Sequence, residues 1–126
     1  MITREEVMNL FIEACPSFKE NWEAYISSEE DRNSSTVLYS DLTCLANYLV
    51  GQIDNEMMLE TKTVFDMIEQ LLHQGDTFVK EAITVGLLED IQNKLINQSI
   101  DLNVFNRYML AETKKSWGDL FDFWKS

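Results

Sequence analysis

His73 is the only histidine of the chain, and Glu69 precedes it by four residues. On a helix that spacing puts an imidazole beside a carboxylate, which could orient it as a general base. Base catalysis also needs a nucleophile or a second carboxylate at the same place, and the sequence marks neither. His73 falls near a helix C-terminus, where the helix dipole favours a positive side chain, and that structural role is the expected one. Cys15 and Cys44 are the only thiols. One precedes Pro16 at the end of a helical pattern, and the other lies beside an apolar stripe. Both read as small buried hydrophobes rather than nucleophiles. Glu89-Asp90 could offer oxygens to a cation together with Asp101 or Asp122, but acidic pairs on solvated helix faces are far commoner. The sequence contains no EF-hand loop, P-loop, dinucleotide fingerprint or G-x-S-x-G elbow. Two thiols and one histidine fall short of the four soft ligands of a structural zinc site. No catalytic, metal or cofactor residue is assigned, no cofactor is expected, and the chain is not expected to be an enzyme.

The elements that position these groups read as helices. Of 126 residues, 45% are hydrophobic and three Trp, four Tyr and seven Phe are present, which is ample material for a core. Four Gly and one Pro are too few for a sandwich of many short strands. Thr3-Arg4-Glu5-Glu6 spells a capping box, and Val7, Leu10, Phe11 and Ala14 follow at helical spacing until Pro16 stops the pattern. Ser17-Phe18-Lys19-Glu20 spells a second box before a stripe of Phe18, Trp22, Tyr25 and Ile26. Residues 27–35 hold no apolar side chain and read as a solvated loop. Leu38, Leu42, Leu45, Ala46, Leu49 and Ile53 predict a helix over 36–53, with a break at Asp54-Asn55. Met58, Val64, Phe65, Ile68, Leu71 and Leu72 predict another over 56–73, ended by a left-handed Gly75.

Asp76 then caps a fifth helix, apolar on three sides from Phe78 to Leu95, as befits the middle of a bundle. Gly86 inside it predicts the close crossing of another helix. Asp101 is expected to open a short sixth helix with Leu102, Phe105, Tyr108 and Met109. The last helix begins at Glu112 or Thr113 and turns Trp117, Leu120, Phe121 and Trp124 inward. The expected architecture is all-α: a single domain over 1–126, a bundle of six or seven helices whose antiparallel pairs could stack like a solenoid. The N-terminus lacks a basic stretch leading into an apolar one, and no apolar run reaches membrane-spanning length. A cytoplasmic protein with reduced thiols is expected.

Charge is the informative feature. The net charge is −12, which excludes a nonspecific DNA or RNA binder and disfavours an anionic membrane surface. Residues 1–76 carry 15 acids against 4 bases, whereas residues 77–126 carry 7 against 6. Solubility alone explains many acidic proteins. The sharper reading is a docking surface for a basic partner, because complementary charge speeds association and selects the partner. The acids of the third and fourth helices, among them Asp41, Asp66 and Glu69, mostly avoid the apolar stripes and are expected to face water.

The segments Gly75-Asp76-Thr77-Phe78-Val79-Lys80-Glu81 and Thr84-Val85-Gly86-Leu87-Leu88-Glu89-Asp90 resemble a family of small helical bacterial proteins often encoded beside secreted toxins. Ala14-Cys15-Pro16-Ser17 with Trp22, Leu38-Tyr39-Ser40-Asp41-Leu42, and Glu112-Thr113-Lys114-Lys115-Ser116-Trp117 with Phe123-Trp124 fit the same pattern. The resemblance spans nearly the whole chain. It implies an all-α immunity protein of a contact-dependent growth inhibition system, which binds and neutralises a toxin domain, often an RNase or DNase. It transfers no catalytic residues and no toxin-binding residues.

Together these readings give an inhibitor, or antitoxin, that covers the active or substrate-binding surface of a basic nuclease with its acidic half. An RNase is favoured over a DNase. The partner-binding residues expected are Glu29, Glu30, Asp31, Asp54, Glu56 and Glu60, with Tyr48 as an aromatic anchor. No direct nucleic-acid or membrane contact is expected, and the unbound protein is expected to be a monomer. The competing reading is an acidic adaptor or nucleic-acid mimic that sequesters a host nucleic-acid-binding protein.

Overall fold

The computed structural model describes residues 1–28, 37–55 and 58–125. Among them the chain is helical, with no strand beyond a single bridge pair. The helices are α1 (Arg4–Ala14), α2 (Lys19–Ser28), α3 (Val37–Gly51), α4 (Met58–Gln74), α5 (Thr77–Glu81), α6 (Glu89–Asn97) and α7 (Ala111–Lys125). A π-helical segment, Ala82–Leu88, joins α5 to α6, so residues 77–97 form one continuous rod. The all-α single-domain bundle read from the periodicity is what the chain adopts.

The rod is the centre of the bundle. Val79, Ala82, Ile83, Gly86, Leu87, Leu88, Ile91, Gln92 and Leu95 are all buried along it. It is flanked by α3 and α4 and also touches α1 and α7. Contacts of α1 with α4 and of α4 with α7 tie together elements far apart in sequence. The helix pairs therefore converge on one core instead of stacking in series. Gly86 lies where α3 crosses: a Cβ there would stand 3.1 Å from Tyr39 Cδ1. The close crossing is real, and the wide π turn around it brings Ala82 and Ile83 and then Gly86, Leu87 and Leu88 to the inside.

Gly75 serves differently from its expected role. No glycine among the described residues has a positive φ. Its requirement is space: an added Cβ would meet Leu71 O and Val79 Cγ1, each at 2.6 Å. Ile2 lies alongside it. The Ile2 N–H donates to Gln74 O at 2.8 Å, and the Asp76 N–H donates to Ile2 O at 2.9 Å, which ties down the N-terminus. Asp76 also caps α5 as expected, its carboxylate accepting from the Val79 N–H at 2.9 Å.

The short helix expected at Asp101 does not form. Residues 101–109 are consecutive turns with one 3-10 turn, Asn106–Tyr108. α6 ends in a Schellman motif: Ser99 takes φ 56°, the Ser99 N–H donates to Ile96 O, and the Ile100 N–H donates to Leu95 O. Asp101 then accepts from the Asn103 N–H at 2.9 Å, and Asn106 Nδ2 donates to Asn103 Oδ1 at 2.9 Å. These local bonds hold the backbone in turns and compete with a helical ladder. The apolar side chains still pack inward, with the Phe105 ring 5.2 Å from that of Phe65.

Candidate functional site: the N-terminal hairpin and its grooves

At the junction of α1 and α2 the sequence spells a capping box that the chain does not use as one. Pro16–Phe18 form a 3-10 turn. The Ser17 N–H donates to Glu60 Oε1 at 3.0 Å, and Tyr48 Oη donates to Ser17 Oγ at 2.6 Å. Thr63 Oγ1 donates to Ala14 O in the same knot. The Phe18 ring, fully buried, lies 5.3 Å from the Tyr48 ring. One end of α3 and the first turn of α4 thus clamp the turn that directs α2 away from α1.

Two of the expected partner-binding residues also have partners within the fold. Glu60 and Tyr48 both bond Ser17 and so help to hold the hairpin. Tyr48 does also border a groove between α2 and α3. Asp54 is exposed, in the 3-10 turn Ile53–Asn55. Glu29, Glu30, Asp31 and Glu56 lie outside the described residues. The expectation that the remaining acids face water fails at two positions. Asp41 is buried at 3% exposure. The Glu69 side chain is 12% exposed and serves as a cap supplied by a neighbouring helix. It accepts from the Glu112 N–H (3.2 Å), the Thr113 N–H (2.9 Å) and Thr113 Oγ1 (2.9 Å) at the start of α7, and it pairs with His73 Nε2 at 2.8 Å. Burial alone would raise the Glu69 pKa, but the hydrogen bonds from Thr113, His73 and Glu112 outweigh it and hold the carboxyl below its ordinary value.

The groups that could have done covalent chemistry are placed as structure. Cys15 is buried, and burial pushes its thiol up in pKa despite a contact with Ser17 Oγ at 3.7 Å; the Glu60 charge adds to the rise. Cys44 is raised as well, by burial and then by Asp41. A raised thiol is a poor nucleophile at neutral pH. Asp90 accepts from Thr43 Oγ1 at 2.6 Å, and no metal-binding cluster occurs among the described residues.

α2 is unlike every other helix, since none of its residues is fully buried. It leans on α3 and on the 3-10 turn, and open grooves run along both of its sides. The groove toward α1, about 420 Å³, has Ile12, Trp22 and Ile26 half-buried in its walls. Exposed Glu13, Lys19 and Glu23 rim it. Among the described residues Glu13, Glu20 and Glu23 enter no ion pair or side-chain hydrogen bond. Trp22 therefore edges the core instead of filling it, with its ring 6.3 Å from Phe18 and 5.7 Å from Tyr25.

The sequence did carry a signal for this groove: Ile12 and Glu13 on one helix, and Lys19, Trp22, Glu23 and Ile26 at i, i+3, i+4 and i+7 on the next. A stripe that mixes acids with apolar residues marks a surface only half covered by its neighbours.

A family model matches residues 8–125, nearly the whole chain. The chain belongs to the DUF7674 family, described as a domain of unknown function. No curated protein and no solved structure matches it. Among the described residues no helix is long and apolar enough to cross a membrane.

Proposed function

We propose that the chain is an immunity protein that binds a cognate secreted toxin domain and blocks its active or substrate-binding surface. The toxin is a basic nuclease, an RNase more readily than a DNase. The protein works in the cytoplasm as a stoichiometric binder without turnover.

The observation that carries this reading is the charge on the N-terminal hairpin. Glu5, Glu6, Glu13, Glu20 and Glu23 are exposed there against Arg4 and Lys19, around a helix that buries none of its residues completely. Glu5 pairs with Arg4 and Glu6 accepts from the Thr3 N–H, but Glu13, Glu20 and Glu23 are left to favour the approach of an opposite charge and raise the association rate. The half-buried Trp22 supplies what charge alone lacks, an aromatic side chain able to anchor a complex. The toxin-associated resemblance of the Gly75–Asp90 motifs directs the reading toward an inhibitor.

The test is binding of the purified chain to the toxin domain encoded beside it, at low and at moderate salt, with growth rescue on co-expression. Tight, salt-sensitive association together with rescue is the expected result. Absence of both overturns the immunity reading. Recovery of an endogenous basic partner from cells lacking the toxin would then favour an acidic adaptor.

A further inference from the structure

The hairpin groove has a shape and a charge that select its occupant, and here the inference rests on the binding role proposed above. We propose that the groove between α1 and α2 receives a basic amphipathic helix of the partner, about two turns long, with its apolar side chains against Ile12, Trp22 and Ile26 and its Lys or Arg side chains beside Glu13 and Glu23. The walls are two helices. Along α2 the lining runs from Lys19 to Ile26, seven steps along the helix or about 10 Å, the rise of two helical turns. Side-chain ridges at i, i+3 and i+4 on such walls complement the same ridges on a third helix, the geometry of helix-in-groove recognition.

The polarity agrees with the shape. Ile12, Trp22 and Ile26 give the groove its apolar part, the rim holds two carboxylates without an ion partner against one lysine, and the hairpin around it is acidic. The groove on the other side of α2 makes the contrast. Its wall carries Asn21, Ser40, Thr43, Cys44 and Asn47 with no charged side chain, so a basic helix gains nothing there.

The experiment titrates the isotope-labelled full chain with a 14-residue helical Lys/Leu peptide and with its Glu/Leu counterpart, followed by NMR. Trp22→Phe identifies the Trp22 indole signal. Shifts confined to residues 9–26 and the Trp22 indole, seen with the basic peptide only, are expected. Glu13→Lys combined with Glu23→Lys should weaken the basic peptide roughly tenfold, since each reversal turns an attractive exposed pair into a repulsive one. Asp119→Lys with Asp122→Lys, an equal charge change on exposed positions of α7, should weaken it far less. Shifts elsewhere, equal response to the acidic peptide, or equal losses from the two double variants would overturn the proposal. The titration needs no toxin. Groove shifts without growth rescue keep this site and discard immunity, whereas rescue without groove shifts keeps immunity and discards this site.

Discussion

α2, a stripe that mixes acids with apolar residues, and the 77–97 rod, apolar on three sides, end in opposite environments. The rod has α3, α4, α1 and α7 around it, and nine of its residues from Val79 to Leu95 are buried. α2 leans on α3 and the 3-10 turn, with open grooves along both of its sides, and no residue of it is buried. The helix that is apolar on three sides is surrounded by neighbours, and the one with a mixed stripe is only half covered. The fold constrains the side chains of the rod through packing, whereas it leaves those of α2 available to a partner.

The comparison can be broken most directly by deleting side chains from the two helices. Leu87 is fully buried, and Leu87→Ala should cost about 3 kcal/mol through lost burial and the cavity left behind. Ile26 is half-buried, and Ile26→Ala should cost under about 1 kcal/mol. Urea denaturation of the two variants reads the difference. Equal losses would mean that α2 is as integral to the core as the rod.

Glu69 tests a second kind of constraint, a partly buried carboxylate that caps a distant helix. Glu69→Ala strips acceptors from two N–H groups and the buried Thr113 hydroxyl, and should cost about 2 kcal/mol at pH 7. Because the folded carboxyl titrates below its unfolded value, its contribution is complete above about pH 4.3 and is lost as pH falls through the folded pKa. Thermal melts of both proteins at pH 7 and in acid should therefore converge at low pH. A gap independent of pH would show that the charge of Glu69 is not what stabilises α7.

Ser99 sharpens the contrast just past the C-terminal end of the rod. Its φ of 56° lies in the left-handed region, where a side chain is strained. Ser99→Gly keeps the Schellman motif and removes that strain, so it should stabilise the chain by about 0.5–1 kcal/mol, measured as a rise in Tm. Loss of stability would mean that the Ser99 side chain contributes more than the strain it causes.

What the sequence revealed and what it hid divide along the same physical line. Helix positions, the Asp76 cap and the tight crossing at Gly86 were legible because each depends on neighbours close in the chain or on a periodic stripe. The turns over 101–109 were missed because Asp101, Asn103 and Asn106 satisfy one another locally while Leu102, Phe105 and Met109 keep an apolar spacing that imitates a helix. The fates of Glu60, Tyr48 and Glu69 were hidden because their partners, Ser17 and Thr113, lie tens of residues away. Glu13 and Glu23 drew no reading from the sequence, because only the fold lines one groove with both of them and Trp22.

The smallest stability effect belongs to those two acids, and it separates the two regions most clearly. Both are exposed and engage no side-chain partner among the described residues, so Glu13→Lys and Glu23→Lys should each change stability by less than about 0.5 kcal/mol. With a net charge of −12, each reversal also relieves self-repulsion, so any shift should be toward higher stability. The same reversals should slow association with a basic partner and flatten its dependence on salt, because rim charges act mainly on the encounter. Urea melts alongside stopped-flow binding at two salt concentrations measure both quantities on the same variants. A large loss of stability would make the acids structural and return α2 to the core, whereas unchanged stability with slower, less salt-sensitive association would make the hairpin a surface built for binding.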